Sequence, residues 1–217
     1  MQTALRNSVA LVKTLLLNDL ASPAIFRAKL AEIPAPDRDK WFDLLWDLDE
    51  IPEDDPALPR GCAPYLPCPV ATVLEGLERA NVTSHDVFVD VGSGTGRVAS
   101  LANLLTGAGA IGLEIQPALV AAAQGRAAWL KLERTRFLQG DAADLLRFIT
   151  VGTVFFFYCP FGGERVDRVL DDLAVLAETR QIRICGVHMP PLDRPWLERI
   201  TSSSVELDVY RSTGLER

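Results

Sequence analysis

Residues 87–100 read V-F-V-D-V-G-S-G-T-G-R-V-A-S, and no other stretch restricts the fold of this 217-residue chain as much. An apolar run of strand character carries one acid, Asp90. It passes into three glycines, Gly92, Gly94 and Gly96, and then directly into a helical pattern. Glycines let a backbone reverse tightly and let a ligand approach it closely. The helix that follows turns its unpaired N–H groups toward whatever lies at the turn. Strand, glycine turn and helix in this order form the opening unit of a doubly wound parallel sheet, with a nucleotide-type ligand at the carboxyl end of the strand.

The spacing bears on which ligand. The dinucleotide fingerprint G-x-G-x-x-G needs its third glycine one position later, where this chain has Arg97. Asp90, two residues before the first glycine, would repel a pyrophosphate. It suits the ammonium and sulfonium of S-adenosylmethionine, whose carboxylate in turn suits the N–H groups of the turn. The run Ala110-Ile111-Gly112-Leu113-Glu114-Ile115 ends in a second acid. Glu114 has the two oxygens needed to accept both hydroxyls of an adenosine ribose, and Ile115 beside it is placed to face an adenine. This acid serves dinucleotide enzymes as well. A third run, Arg136 to Gln139, closes on Gly140-Asp141-Ala142. Asp141 is placed either to accept a bond from an adenine amino group or to cap the helix that begins at 142.

These motifs resemble those of the class I S-adenosylmethionine-dependent methyltransferases. The carrying segments are Val89-Asp90-Val91-Gly92-Ser93-Gly94-Thr95-Gly96, Gly112-Leu113-Glu114-Ile115, Gly140-Asp141-Ala142 and Phe155-Phe156-Phe157-Tyr158-Cys159-Pro160-Phe161. The resemblance runs over about 65 to 210. With Tyr65-Leu66-Pro67-Cys68-Pro69 ahead of the first strand, the chain is more narrowly similar to protein-lysine methyltransferases that lack a SET domain and to their prokaryotic relatives. It implies S-adenosylmethionine as cofactor, held by Tyr65, Asp90, Gly92, Ser93, Gly94 and Gly96, then Glu114, Ile115, Asp141, Ala142 and Tyr158. Amino-group methyltransferases of nucleic acids carry Asn or Asp, then Pro-Pro, then Tyr or Phe, after the fourth strand. Here that place reads Tyr158-Cys159-Pro160-Phe161, so the acceptor for an exocyclic amine is absent. Two other readings stay open at this point: an NAD(P)-dependent oxidoreductase on a Rossmann sheet, and a non-catalytic binding protein that uses the cofactor fold.

The rest of the sequence organises around that unit. Residues 3–18 have a helical pattern with Leu5, Val9, Val12, Leu16 and Leu20 on one stripe. Ser22-Pro23 opens a second helix and Asp37 a third, which holds Trp41, Phe42, Leu45 and Trp46. Prolines at 52, 56, 59, 64, 67 and 69 make the next stretch a connector. Residues 1–60 therefore read as a helical appendage, either packed on the sheet or a second subunit, or covering the site as a lid; 61–217 read as the cofactor domain. Strands are expected at 86–91, 136–139, 153–158, 181–187 and 204–211, with helices near 69–80, 96–106, 117–132, 164–177 and 195–200. The run 153–158 is apolar throughout, as a strand covered on both faces should be. Only one strand is evident after 187, where a full sheet of this class has a closing pair.

The net charge of −7 disfavours a phosphate-binding face. The expected acceptor is a protein side chain or a small molecule rather than a nucleic acid. Tyr158 and His188 are the candidate catalytic residues: His188 follows a strand at the active edge and has the chemistry of a general base. Tyr65, Tyr158 and Phe161 are suited to an apolar channel that would lower the pKa of an entering amine by desolvation. Cysteines at 62, 68, 159 and 185 and histidines at 85 and 188 form no zinc spacing. The apolar run Val9 to Leu17 is interrupted by Lys13 and is too short to span a bilayer. A cytoplasmic location with reduced thiols is the expectation.

Overall fold

The computed structural model describes residues 2–47, 51–201 and 207–213. The helices are α1 (Gln2–Leu17), α2 (Pro23–Ala31), α3 (Arg38–Trp46), α4 (Val70–Arg79), α5 (Arg97–Thr106), α6 (Pro117–Trp129), α7 (Ala142–Leu145) and α8 (Glu164–Ala177). The strands are β1 (Val87–Val91), β2 (Gly109–Glu114), β3 (Thr135–Gln139), β4 (Val154–Tyr158), β5 (Arg183–Val187), β6 (Leu197–Thr201) and β7 (Leu207–Ser212). They form one sheet in the order β3-β2-β1-β4-β5-β7-β6. β1 to β5 are parallel, and β7 runs antiparallel to both β5 and β6. The chain winds outward from β1 to β3 and then crosses back to β4. The strand order thus reverses between β1 and β4, the switch point where ligands of such sheets bind.

β4 shows how the sheet is covered. Its side chains alternate with the pleat: Val154 and Phe156 join one core, Phe155 and Phe157 the other. The second core is closed by α7 and α8 through residues such as Ala143, Val169 and Leu173. The first contains α4, α5 and α6 together with the N-terminal helices. Trp41, Phe42, Leu45 and Trp46 of α3 are fully buried in it. Both indole N–H groups are satisfied there, Trp41 donating to Ser8 Oγ at 3.1 Å and Trp46 to the Thr95 carbonyl at 2.9 Å.

Two expectations fail. The C-terminal edge is not abbreviated: where a helix is expected near 195–200, the chain forms strand β6 at Leu197–Thr201. What decides this is a partner distant in sequence. Arg199 Nε donates to Asp208 of β7 at 2.9 Å, and Arg211 pairs with Glu198 at 2.6 Å. Cross-strand pairs of this kind stabilise a sheet edge but leave no helical or strand signal in a five-residue segment. Leu20 does not continue the α1 stripe. The helix stops at Leu17, Asp19 takes a left-handed φ of 59°, and Leu20 is exposed, while Leu5, Val9, Val12 and Leu16 are buried.

Candidate active site

A cavity of about 500 Å³ opens at the carboxyl ends of β1, β2, β3 and β4. That volume lies within the range of pockets for small-molecule ligands. Its walls come from four places: the connector between Leu58 and Leu66, the turn after β1, the ends of β2 and β3, and the segment 158–161 after β4, with His188 after β5 at the rim.

The glycine turn is held by β2. The amides of Gly92 and Ser93 both donate to the Leu113 carbonyl at 2.9 Å. Gly92 and Gly94 have φ of +80° and +53°. A Cβ on Gly92 would stand 2.5 Å from Pro160 Cβ, and one on Gly94 would penetrate the ring of Tyr65. The close approach at Gly94 is therefore made by Tyr65, whose hydroxyl also bonds Thr95 Oγ1 at 2.8 Å. Gly96 is equally tight, against Phe137 and Ala123, and so faces the α6 side. The Ser93 hydroxyl is buried against Gly112, without a hydrogen-bond partner among the described residues.

Two carboxylates lie near this turn. Asp90 is 2% exposed, beneath the turn and not on the cavity wall. Its Oδ2 accepts from the Ala99 amide at 3.2 Å, and burial pushes its carboxyl up to about 7. Glu114 does reach the cavity. Its Oε2 accepts from the Gly94 amide at 2.8 Å and its Oε1 from the Gln116 amide at 2.9 Å. Burial raises its carboxyl too, against the pull of those amides. The Ile115 amide bonds the same carboxylate, so three backbone amides share its acceptor sites.

Ile115, Asp141 and Ala142 form the adjoining wall. Asp141 Oδ1 caps α7 by accepting from Ala143 at 3.0 Å, and its Oδ2 is held by Arg165 at the start of α8. On the opposite side Tyr158 and His188 lie with ring centroids 5.6 Å apart. His188 and Cys159 have φ of +52° and +44°. Among the described residues the other four non-glycine positions of positive φ follow helices, where such a reversal is ordinary. These two follow strands at a cavity rim, and strained backbone of this kind collects at functional sites. The sequence reading missed Gln116, Leu58, Cys62 and Arg165. The six prolines of the connector marked it as irregular but could not say that it crosses the site.

The two readings of the first 60 residues separate spatially. Helices α1–α3 pack beside α5: the buried Arg97 at its start donates to the Cys68 carbonyl at 2.9 Å, pairs with Asp39 at 2.5 Å and also pairs with Asp43. Among the described residues, none that lines the cavity precedes Leu58.

Residues 82–179 match the family model of a methyltransferase domain. The structure is similar to that of an RNA methyltransferase from Salinibacter ruber solved in complex with S-adenosyl-L-homocysteine, at 28% identity over 70% of this chain and 95% of that one, with a TM-score of 0.52. It also shares its fold with yhhF from Escherichia coli, a protein assigned as a methyltransferase, at 18% identity over 75% of this chain and 91% of that one, TM-score 0.55. No curated protein matches the chain in sequence. Among the described residues no helix is long and apolar enough to cross a membrane. The matched domain, the sheet order and a neighbour holding the product form of the cofactor support an S-adenosylmethionine-dependent methyltransferase on a Rossmann-like sheet.

Proposed function

We propose that the cavity holds S-adenosylmethionine with its ribose on Glu114, its adenine against Ile115, Asp141 and Ala142, and its methionyl end by Gly92 and above Asp90. The methyl acceptor is a protein side chain or a small molecule, entering between Tyr65 and Leu66 on one side and Tyr158 and His188 on the other. The observation that carries both parts is the charge of the wall: it bears two carboxylates, Glu114 and Asp141, of which Asp141 is paired with Arg165 behind it, and among the described residues no lysine or arginine lines the cavity. Hydroxyl, amine and ammonium donors are favoured against such a wall, and phosphates are not. The acceptor capacity that Glu114 keeps beside its three amide bonds suits a ribose hydroxyl.

The cofactor supplies a methyl that is already electrophilic, so the chain needs chiefly to align and to exclude water. Holding an acceptor atom in line at near-contact distance supplies a large part of the rate. Tyr65 and Tyr158 narrow the entrance and shed water from it. An amine entering between these rings loses hydration, which favours its neutral, nucleophilic form. For a hydroxyl acceptor, His188 beside Tyr158 is the group positioned to take the proton.

The test is transfer of label from S-adenosylmethionine to protein, small-molecule and RNA extracts. Label in protein or in a small molecule is expected. RNA is the second reading, favoured by the RNA methyltransferase from Salinibacter ruber. Label confined to RNA would replace the proposed acceptor.

A further inference from the structure

Among the described residues 51–67, none is fully buried. Yet Leu58, Cys62, Ala63, Pro64 and Tyr65 form one wall of the cavity. A surface strap with so little buried area opens at low cost unless specific bonds hold it. Those bonds fall in three groups, one of them the Tyr65 hydroxyl with Thr95 Oγ1 at 2.8 Å beside the turn after β1. Near the end of β4, the Ala63 amide donates to the Pro160 carbonyl at 2.9 Å and the Gly162 amide to the Gly61 carbonyl at 3.1 Å. Near the end of β2 the bonds converge on one side chain, Gln116.

Gln116 is 4% exposed although it follows the strand end by only two residues. Its Oε1 accepts from the Asp55 amide at 2.7 Å, and its Nε2 donates to Asp54 Oδ1 at 2.8 Å. The same Asp54 oxygen accepts from the Tyr65 amide at 2.9 Å, which closes residues 54–65 into a loop with adjacent ends. The main-chain amide of Gln116 donates to Glu114 Oε1. One residue therefore holds the carboxylate at the cavity floor and, through its side chain, the strap across the cavity mouth. Both ends of the Gln116 amide meet complementary partners, an N–H and a carboxylate, so its orientation is fixed by chemistry.

We propose that Gln116 and Asp54 form a latch, a pair of positioning residues that keeps the strap closed over the bound cofactor and sets how fast the cofactor leaves. The proposal rests on the cofactor occupying the Glu114 cavity and is independent of the acceptor. Closing a wall after binding slows release more than it changes encounter, as most affinity differences within one site do.

The experiment follows release of labelled S-adenosylhomocysteine, chased with unlabelled compound, from the full chain. Asp54→Ala and Gln116→Ala are each expected to release it about tenfold faster, the effect of one or two lost hydrogen bonds, with association changed by less than about twofold. Asp54→Asn keeps an acceptor oxygen and should release at the wild-type rate. The double variant Asp54→Ala/Gln116→Ala should fall clearly short of the product of the two single effects, because the two residues share the Gln116–Asp54 bond and each has only one other strap bond to lose. Because Gln116 is buried, Asp54→Ala on the exposed strap carries the test if Gln116→Ala fails to fold. Wild-type release from Asp54→Ala, or rate increases that multiply in the double variant, would overturn the latch. Failure of the wild type to bind S-adenosylhomocysteine at all would instead remove the cavity assignment.

Discussion

Asp90→Asn probes the cofactor site through stability as well as binding. Asp90 is 2% exposed and its carboxyl is raised from 3.8 to about 7, chiefly by burial, with the Glu114 carboxylate adding to the rise and the Ala99 amide opposing it. Its pKa in the folded chain thus exceeds that in the unfolded chain. Between those values the folded state holds a proton that the unfolded state has lost, so stability falls as pH rises from about 4 through 7. The difference is roughly three pKa units at about 1.4 kcal/mol each, an upper figure of about 4 kcal/mol. Asparagine keeps an oxygen for the Ala99 amide and has nothing to titrate. Urea unfolding of the ligand-free protein should therefore show the wild type losing up to about 4 kcal/mol relative to Asp90→Asn over that range, with the variant the more stable at pH 8. Glu114 contributes a slope of the same sign to both proteins and largely cancels in the comparison. An ionised Asp90 near the methionyl ammonium should also make S-adenosylhomocysteine bind more tightly as pH rises through about 7 in the wild type, and not in the variant. Parallel stability curves for the two proteins would refute the buried charge, and parallel binding curves its role toward the ligand.

Glu114→Ala should weaken S-adenosylhomocysteine binding about a hundredfold by calorimetry, through roughly 3 kcal/mol of lost ribose bonds. It should also lower the melting temperature, since the Gly94 and Gln116 amides lose their acceptor; an unchanged dissociation constant would reject the ribose assignment. Gly94→Ala should abolish measurable binding, because the new Cβ meets Tyr65 and the residue has φ +53°. Adding Tyr65→Gly should restore part of it if the ring is the obstacle, and no recovery would place the ligand itself against Gly94. Deleting residues 1–46 should yield an unfolded chain by circular dichroism. The four fully buried side chains of α3 alone account for about 1.5–3 kcal/mol each, together of the order of a domain's whole net stability. A cooperative melt of the shortened chain would contradict this.

The strand ends around the cavity were legible because their signals are local. Gly92, Gly94, Glu114 and Asp141 each stand within a few residues of the strand end that positions them, and an apolar run followed by glycine or acid marks that end. The roles within the turn were not legible. Whether the space above Gly94 belongs to a ligand or to a ring depends on Tyr65, a residue 29 positions earlier whose approach is fixed by a bond to Thr95. Strand β6 failed for the same reason: its pairing with β7 is a tertiary fact, and five residues of mixed polarity carry no period.

The N-terminal third shows what periodicity withholds. A stripe of Trp41, Phe42, Leu45 and Trp46 announces burial but not a partner, and the same pattern would serve a lid, a dimer contact or a core. The partner is chosen by polar groups at the edge of the stripe. Arg97 sits where a dinucleotide enzyme would have its third glycine, and its guanidinium reaches the α3 carboxylates Asp39 and Asp43 while stacking on Phe42. Trp46 donates to Thr95 in the same turn. The departure from the dinucleotide fingerprint therefore has a structural consequence: the position that glycine would leave open is occupied by the side chain that anchors α3 beside the cofactor turn. With α3 committed there, the cavity mouth is left to the proline-rich connector. Its prolines lower the entropy cost of holding an exposed strap in one conformation, and its few polar bonds let it open.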